Sequence, residues 1–366
     1  MSDRRVTLQT VADHVGVSRM TVSNAFSRPD QLSAELRERI LAAAEDLGYA
    51  GPDPAARALA KGTTGAVGIL LTDSLEYAFT DEVAALFLGA IAQELGASGL
   101  SLTLLSSSVT TPDVLPARDV PLDAALVYSC EDDSPAIDWL RRRHLPLVYV
   151  DQTPVSGITS VNIDDRAGAR AAAQHVVDLG HRRIGIVTSN FGVPAGLIDR
   201  PADRATGHVG RQRMLGWLEA LDAAAIDPVV VSEQLSGEAT GRHAAELLLD
   251  LPEPPTAVLC FSDAMAYGVV ETAIERGLSV PDDLSVVGYD DSPLAARMRP
   301  SLTTVRQDVI AKGRAAATEL RTAMDRARTG SAGRAKRIRL AADLLVRDST
   351  GPLRHRAAVD GPARTR

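Results

Sequence analysis

Between Ser18 and Asn24 the chain gathers three short hydroxyls (Ser18, Thr21, Ser23), a guanidinium (Arg19), a thioether (Met20) and an amide (Asn24). Beside a helix N-terminus, whose free N–H groups already favour anions, such hydroxyls suit phosphate oxygens. Arg19 has the fork to clamp a guanine edge and Asn24 the amide to clamp an adenine, each pair being worth about 1–3 kcal/mol of base discrimination. Met20 lies on the same surface as a third candidate base reader. Plainer uses exist: Ser18 is also an ordinary helix cap and Met20 an ordinary exposed apolar residue. Upstream, Leu8, Val11, Ala12 and Val15 recur at helical spacing behind a capping Thr7, and Gly16 supplies a tight turn. Residues 6–27 therefore have the helix, turn and second helix that a major-groove reader requires.

Catalytic patterns are missing by comparison. There is no Gly-x-Ser-x-Gly elbow, Walker loop, Gly-x-Gly-x-x-Gly after the first strand or His-Glu-x-x-His, and the seven histidines are scattered. Asp164 and Asp165 precede a helix and read as caps rather than a catalytic pair. Cys130 and Cys260 each stand alone in an apolar stretch, as small buried residues of a reducing compartment do. No enzyme, cofactor or metal is called for. A freestanding solute-binding protein is the other rival, opposed by the attached DNA-reading segment and the missing export signal.

These residues must be held by several units, because 366 residues exceed one ordinary core. With 45% hydrophobic and 23% charged residues the composition is that of a soluble globular protein. No apolar run approaches the roughly 20 residues of a bilayer span, and the first ten residues lack the apolar segment of a signal peptide, so a cytoplasmic location and no membrane partner are expected. The net charge of −8 argues mildly against nucleic acid, and residues 1–62 hold eight basic against eight acidic side chains. Several of those acids cluster between Glu35 and Asp46, so local potential rather than the sum must attract phosphate.

Three short helices are expected over residues 7–48: one capped by Thr7, one by Ser18 and one by Ser33, the last followed by Gly48. Residues 51–64 form a linker with a short alanine-rich helix that would be marginal alone. Beyond it, apolar strands at 66–72, 100–105, 124–129, 146–150, 183–189, 256–262 and 284–290 alternate with helices near 80–96, 164–179, 205–224, 238–250, 263–276 and 306–328. Continuous Val, Ile and Leu runs between helices indicate parallel sheets covered on both faces. The expected fold is an all-α helix-turn-helix headpiece (1–50), a hinge (51–64) and an α/β core (65–350) of two doubly wound subdomains joined near Val161 and again near Asp290. One subdomain would take about 65–161 and 291–325, the other about 162–290 and 326–350, with 351–366 a disordered tail. A crevice between two such sheets, at the carboxyl ends of the strands, is where ligands bind.

The motifs TVS in the second helix, LSAELRERILAAAEDLGY in the third, HRRIGIVTS (181–189), RMLGW (213–217), FSDAMAYGVV (261–270), LSVVGYDD (284–291) and LTTVRQD (302–308) resemble the lactose-repressor (LacI/GalR) family from residue 6 to about Thr350. The resemblance implies a periplasmic-binding-protein-like core and a regulator, more commonly a repressor, that binds double-stranded DNA at a near-palindromic operator. Thr7, Leu8, Ser18, Arg19, Met20, Thr21, Ser23 and Asn24 then become DNA contacts, Asn24 departing from the arginine of most relatives. Leu59, otherwise an ordinary apolar residue of a short helix, matches the family's minor-groove wedge. The absence of the C-terminal leucine heptad found in one relative leaves a homodimer as the expected state.

The same resemblance implies a small-molecule effector, a sugar or similar polar metabolite, in the core cleft. Arg213 and Asp290 would hold hydroxyls or a purine edge by charge-assisted bonds, unless they serve as an interdomain salt bridge or a cap. Phe261, Ser262 and Asp263 end another strand, Ser262 standing where relatives commonly carry Asn. Tyr77 and Phe79 serve either to stack on a ligand or to pack, and Gln307 either lines the cleft or belongs to its hinge. The loop at 190–210 is longer than its family counterpart, which makes it a candidate for cleft closure.

Overall fold

A computed structural model describes residues 6–71, 75–107, 115–130, 132–189 and 192–353, apart from the side chains of Pro54 and Tyr77. The chain divides into two units, residues 1–65 and 66–366. In the first, helices α1 (Leu8–Val15), α2 (Arg19–Ser27) and α3 (Ala34–Asp46) enclose a core of Val11, Ala12, Val22, Ala25, Ile40 and Ala44. Thr7 and Thr10 form a reciprocal capping box at the start of α1, and Gly16 ends it at φ 76°, a conformation that costs only glycine little. A fourth helix, α4 (Pro54–Lys61), is capped by Asp53, whose Oδ1 accepts the Ala55 N–H at 2.8 Å.

The second unit alternates strands and helices in the order β1 (Ala66–Leu71), α5 (Tyr77–Thr80), α6 (Glu82–Gly96), β2 (Ser101–Ser106), α7 (Pro116–Asp119), β3 (Ala124–Tyr128), α8 (Pro135–Arg142), β4 (Leu147–Val150) and β5 (Thr159–Ile163). There follow α9 (Asp165–Asp178), β6 (Ile184–Ser189), β7 (Gly196–Leu197), α10 (Pro201–Arg204), α11 (His208–Ala223), β8 (Val229–Glu233), α12 (Glu238–Leu249), β9 (Ala257–Cys260), α13 (Asp263–Glu275), β10 (Ser285–Asp290), α14 (Pro293–Arg297), β11 (Thr303–Gln307), α15 (Val309–Thr329), β12 (Arg337–Leu340) and β13 (Ala342–Leu345). The strands form a six-stranded sheet, β12-β5-β4-β3-β1-β2, and a seven-stranded one, β13-β11-β10-β9-β6-β8-β7. The first is parallel throughout. The second is parallel except for its edges, where β13 runs antiparallel to β11 and β7 to β8. Each sheet is buried on both faces: Phe87 and Ile91 of α6 with Leu320 of α15 cover one side of the first, Ile137 and Leu140 of α8 the other. On the second, Trp217 and Met214 of α11 oppose Met265 and Val269 of α13.

The lobes are partitioned differently from the expectation. The chain passes between sheets three times, at β5 to α9, β11 to α15 and β12 to β13, where the expected bounds put the changes near residues 161, 290 and 325. The second falls after Gln307 rather than near Asp290, because β11 pairs with β10 in register Val287 to Thr303 and so completes the second sheet first. Residues 303–307, assigned to the first subdomain from sequence, therefore belong to the second, and β12 belongs to the first. Residues 351–353, expected in the tail, are bonded to the second lobe. Gly351 N–H donates to Ser285 Oγ at 3.1 Å and Leu353 N–H to Leu179 O at 3.0 Å, while residues 354–366 lie outside the described residues.

Candidate functional site

In the headpiece, Val22 and Ala25 anchor α2 to the core and turn its other face to solvent. Ser18, Arg19 and Met20 are exposed there, Met20 at 69%. Ser18 is indeed the N-cap, its Oγ accepting the Thr21 N–H at 3.0 Å and lying 2.8 Å from the Thr21 hydroxyl. Asn24 donates through Nδ2 to Gln31 Oε1 at 3.1 Å, so its amide is already oriented. Ser23 is half-buried, and its carbonyl accepts the Ser27 hydroxyl. Thr7 is exposed at the capping box, whereas Leu8 packs half-buried against the small core. On α4, Leu59 is 87% exposed, an uncommon position for a large apolar side chain.

The core contains a cavity of about 300 Å³ between its lobes. The strand ends build it: Tyr128, Asp151, Ser189, Glu233, Asp290 and Gln307 each end or directly follow a strand and line the cavity. Ser129, Asp151 and Asp290 do so with positive φ of 52°, 51° and 114°, backbone strain that costs about 1–3 kcal/mol per residue and concentrates at functional sites.

Arg213 enters from α11 and is buried. Its Nε donates to Asp165 Oδ1 at 2.9 Å, Nη1 to the Phe261 carbonyl at 2.5 Å and Nη2 to Asp290 Oδ1 at 3.4 Å. The rings of Phe261 and Tyr289 lie 4.6 and 3.5 Å from the guanidinium carbon. Burial works against the Arg213 charge, but the carboxylates of Asp165 and Asp290 outweigh it and move its pKa up. Burial pushes the Asp165 and Asp290 carboxyls up, opposed by Arg213. Gln307 continues the chain of bonds, donating to Asp290 Oδ1 at 2.7 Å and accepting Lys312 Nζ at 3.0 Å. Lys312, fully buried on α15, pairs with Asp151 at the end of β4. One polar network thus runs from the second lobe through a crossover into the first. At the neighbouring crossover, Asn162 Nδ2 donates to Gln152 O at 2.9 Å and lies 3.3 Å from His208 Nε2.

Of the eight residues expected at the cleft, Arg213, Phe261, Ser262, Asp290 and Gln307 line this cavity together. Gln307 both lines the cleft and belongs to its hinge. Asp263 does not line it: the first residue of α13 is buried behind the wall, its Oδ1 accepting the Thr304 hydroxyl at 2.5 Å and its Oδ2 the Ser292 N–H at 2.7 Å. Phe79 is 72% exposed and does not line the cavity, whereas its buried neighbour Ala78 does; the Tyr77 side chain lies outside the described residues. Asp164 caps α9, accepting the Ala167 N–H, but Asp165, read as a second cap, is the buried partner of Arg213. The long loop adds strand β7 to the sheet edge and lends Gly192, Thr206 and Gly207 to the cavity wall, Asn190 and Phe191 being outside the described residues.

Asp151, Glu233, Ser189 and Lys312 escaped the sequence reading. The first three obey the strand-end rule that singled out Asp290. Lys312 falls on the stripe Val309, Gly313, Ala316, Ala317 and Leu320, so helical spacing alone places it inward.

A two-lobed α/β binding core carried on the same chain as a helix-turn-helix defines a DNA-binding regulator class. Residues 7–51 match the family described as bacterial regulatory proteins, lacI family, and residues 149–350 match the periplasmic binding protein-like domain. An HTH-type transcriptional regulator of Mycolicibacterium smegmatis is 40% identical over 332 residues, covering 86% of this chain and 89% of that one. Among solved structures, a lac repressor dimer bound to operator and the anti-inducer ONPF aligns over 95% of this chain and 100% of that one, with TM-score 0.75 and 25% identity. A complex of the regulator CelR with cellobiose aligns over 94% and 100%, with TM-score 0.66 and 27% identity. The chain belongs to the lacI family of bacterial regulatory proteins and is a DNA-binding transcriptional regulator.

Proposed function

We propose that this regulator is a cytoplasmic repressor whose operator affinity is set by a small polar effector, a sugar or similar metabolite, bound in the core cleft. The observation that carries the reading is the buried Arg213, held between Asp165 and Asp290 against the 300 Å³ cavity, since charged groups buried without a ligand to recognise are costly to keep. The cellobiose complex of CelR and the operator complex of the lac repressor support both halves of it. Two headpieces of a homodimer read a near-palindromic operator, its symmetry mirroring the protein's. Arg19, Met20 and Asn24 meet base edges, Thr7, Leu8, Ser18, Thr21 and Ser23 lie along the backbone, and Leu59 wedges into the minor groove. Effector binding shifts the lobes and thereby the affinity for DNA.

The test is selection of operator sequences with the purified full-length protein, followed by a metabolite screen for loss or gain of binding. A preferred near-palindrome and at least one responsive metabolite are expected. If Arg213→Ala and Asp290→Ala both leave the response to that metabolite unchanged, the cleft is not the effector site.

A further inference from the structure

Among the described residues, four carboxylates line the cavity, those of Asp81, Asp151, Glu233 and Asp290, against two cations, Arg213 and Lys312. Both cations are already engaged, Arg213 by Asp165 and Asp290, Lys312 by Asp151. Glu233 has no cationic Lys or Arg partner among the described residues. It ends β8, is buried, and accepts the His243 Nδ1–H through Oε1 at 2.7 Å, while Oε2 accepts no hydrogen bond among the described residues. Two oxygens of the cavity wall are fully buried without a partner among the described residues, Asp151 Oδ1 on the first lobe and Ser189 Oγ on the second. A carboxylate can only accept, and a buried acceptor left without a donor is expensive, so a ligand that donates to Asp151 on one lobe and to Glu233 on the other suits this cavity.

We propose that the effector is an uncharged, hydroxyl-rich molecule, and that Glu233 is the residue that selects it, accepting one of its hydroxyls and excluding phosphorylated or carboxylated analogues. This rests on the reading of the cleft as the effector site. A polyol donates to Asp151 from one side and to Glu233 from the other, which draws the lobes together. A phosphate or carboxylate offers acceptors where Asp151 and Glu233 can only accept and adds negative charge beside Glu233 with no unengaged lining cation to meet it among the described residues, the repulsive element on which discrimination depends. His243, half-exposed on α12, acts as a positioning residue that holds the Glu233 carboxylate toward the cavity.

The experiment is titration calorimetry of the full-length protein with neutral monosaccharides and sugar alcohols, each beside its own monophosphate. At least one neutral compound binds, and its monophosphate binds at least about tenfold more weakly. Glu233→Gln, which keeps size and removes charge, narrows that ratio by about tenfold or more, and Glu233→Asp, which keeps the charge, restores the exclusion. His243→Ala weakens the neutral ligand but retains the exclusion. The proposal is overturned if no neutral compound binds, if the monophosphate binds as tightly as its parent, or if Glu233→Gln leaves the ratio unchanged. Arg213→Ala run in parallel separates the two readings: undiminished binding of the neutral compound there places the effector elsewhere and ends both. Loss of binding with an unaltered Glu233→Gln ratio ends only the role of Glu233.

Discussion

At the scale of single residues, the core concentrates its electrostatic cost in a few buried carboxyls, and that cost has a sign that can be read by titration. Burial pushes Asp263 up to about 7, although the Thr304 hydroxyl and the Ser292 N–H partly stabilise its charged form. Its folded-state pKa is above the unfolded one, so the folded chain holds the proton longer. The stabilisation is complete below the ordinary carboxylate range, at about pH 4, and is lost as pH rises to about 7. His175, His181 and His208, lowered chiefly by burial, act in the opposite direction, so the contribution of Asp263 is best measured as a difference. Asp263→Asn keeps an acceptor for the Ser292 N–H and mimics the protonated acid. Its melting temperature relative to wild type is therefore expected to climb between pH 5 and 7.5, and a constant offset across that range would contradict the assignment. Arg213 carries the converse prediction. Arg213→Met leaves Asp165 and Asp290 buried without their cation and is expected to cost about 3–5 kcal/mol by urea unfolding. Adding Asp165→Asn should recover part of that loss, because the partners are coupled.

At the scale of elements, the site depends on how closely α11 approaches α9. A Cβ at Gly216 would lie 2.3 Å from the Arg166 carbonyl oxygen, so only glycine lets the two backbones touch. Arg213 rides on one of these helices and Asp165 on the other. Gly216→Ala is expected to cost about 1–3 kcal/mol and to weaken effector binding without touching the ligand, because separating the helices pulls the guanidinium from its carboxylate. Calorimetry on the variant checks the second effect and thermal unfolding the first. RMLGW, which contains both Arg213 and Gly216, was conspicuous in the sequence, yet nothing in it spells the Arg166 contact, which is a long-range packing fact. The same limit explains which strands were legible. Apolar runs such as AVGILL and AVLC declare themselves, whereas β5 (TSVNI) and β11 (TTVRQ) do not, although they are largely buried. Their polar side chains serve the crossovers: Asn162 bonds Gln152 across one, and Gln307 joins Asp290 to Lys312 at another. Function overrode the hydrophobic pattern at β11, which is why the second crossover was placed near Asp290 rather than after Gln307. Capping, by contrast, is local chemistry, and Thr7, Ser18 and Ser33 marked the headpiece helices where they begin.

At the scale of the whole molecule, a headpiece with no net charge has little non-specific attraction for DNA to spare, so the proposed dimer would gain its operator affinity by engaging two half-sites at once. Linking the second contact to the first gains about 10²–10⁴ in apparent affinity without any new interaction, provided the dimer persists at working concentration. The first lobe offers a surface suited to pairing: among the described strands β2 stands at the end of its sheet, and beside it α6 exposes Leu86 at 39%. An exposed apolar side chain on a helix is a liability for a monomer and an asset at a twofold interface, where each copy covers the other. Leu86→Glu would set two carboxylates against each other across that axis. The variant is expected to sediment as a monomer at micromolar concentration while its core retains the wild-type affinity for effector. Its affinity for the full operator should then fall by about 10² or more, toward that of wild type for an isolated half-site, and the operator's preference over a half-site should vanish. A variant that remains dimeric in sedimentation would move the interface to another face. One that becomes monomeric yet still prefers the full operator would mean that the two headpieces are brought together by the DNA itself, and the dimer would no longer be needed to explain how a chain of net charge −8 finds its site.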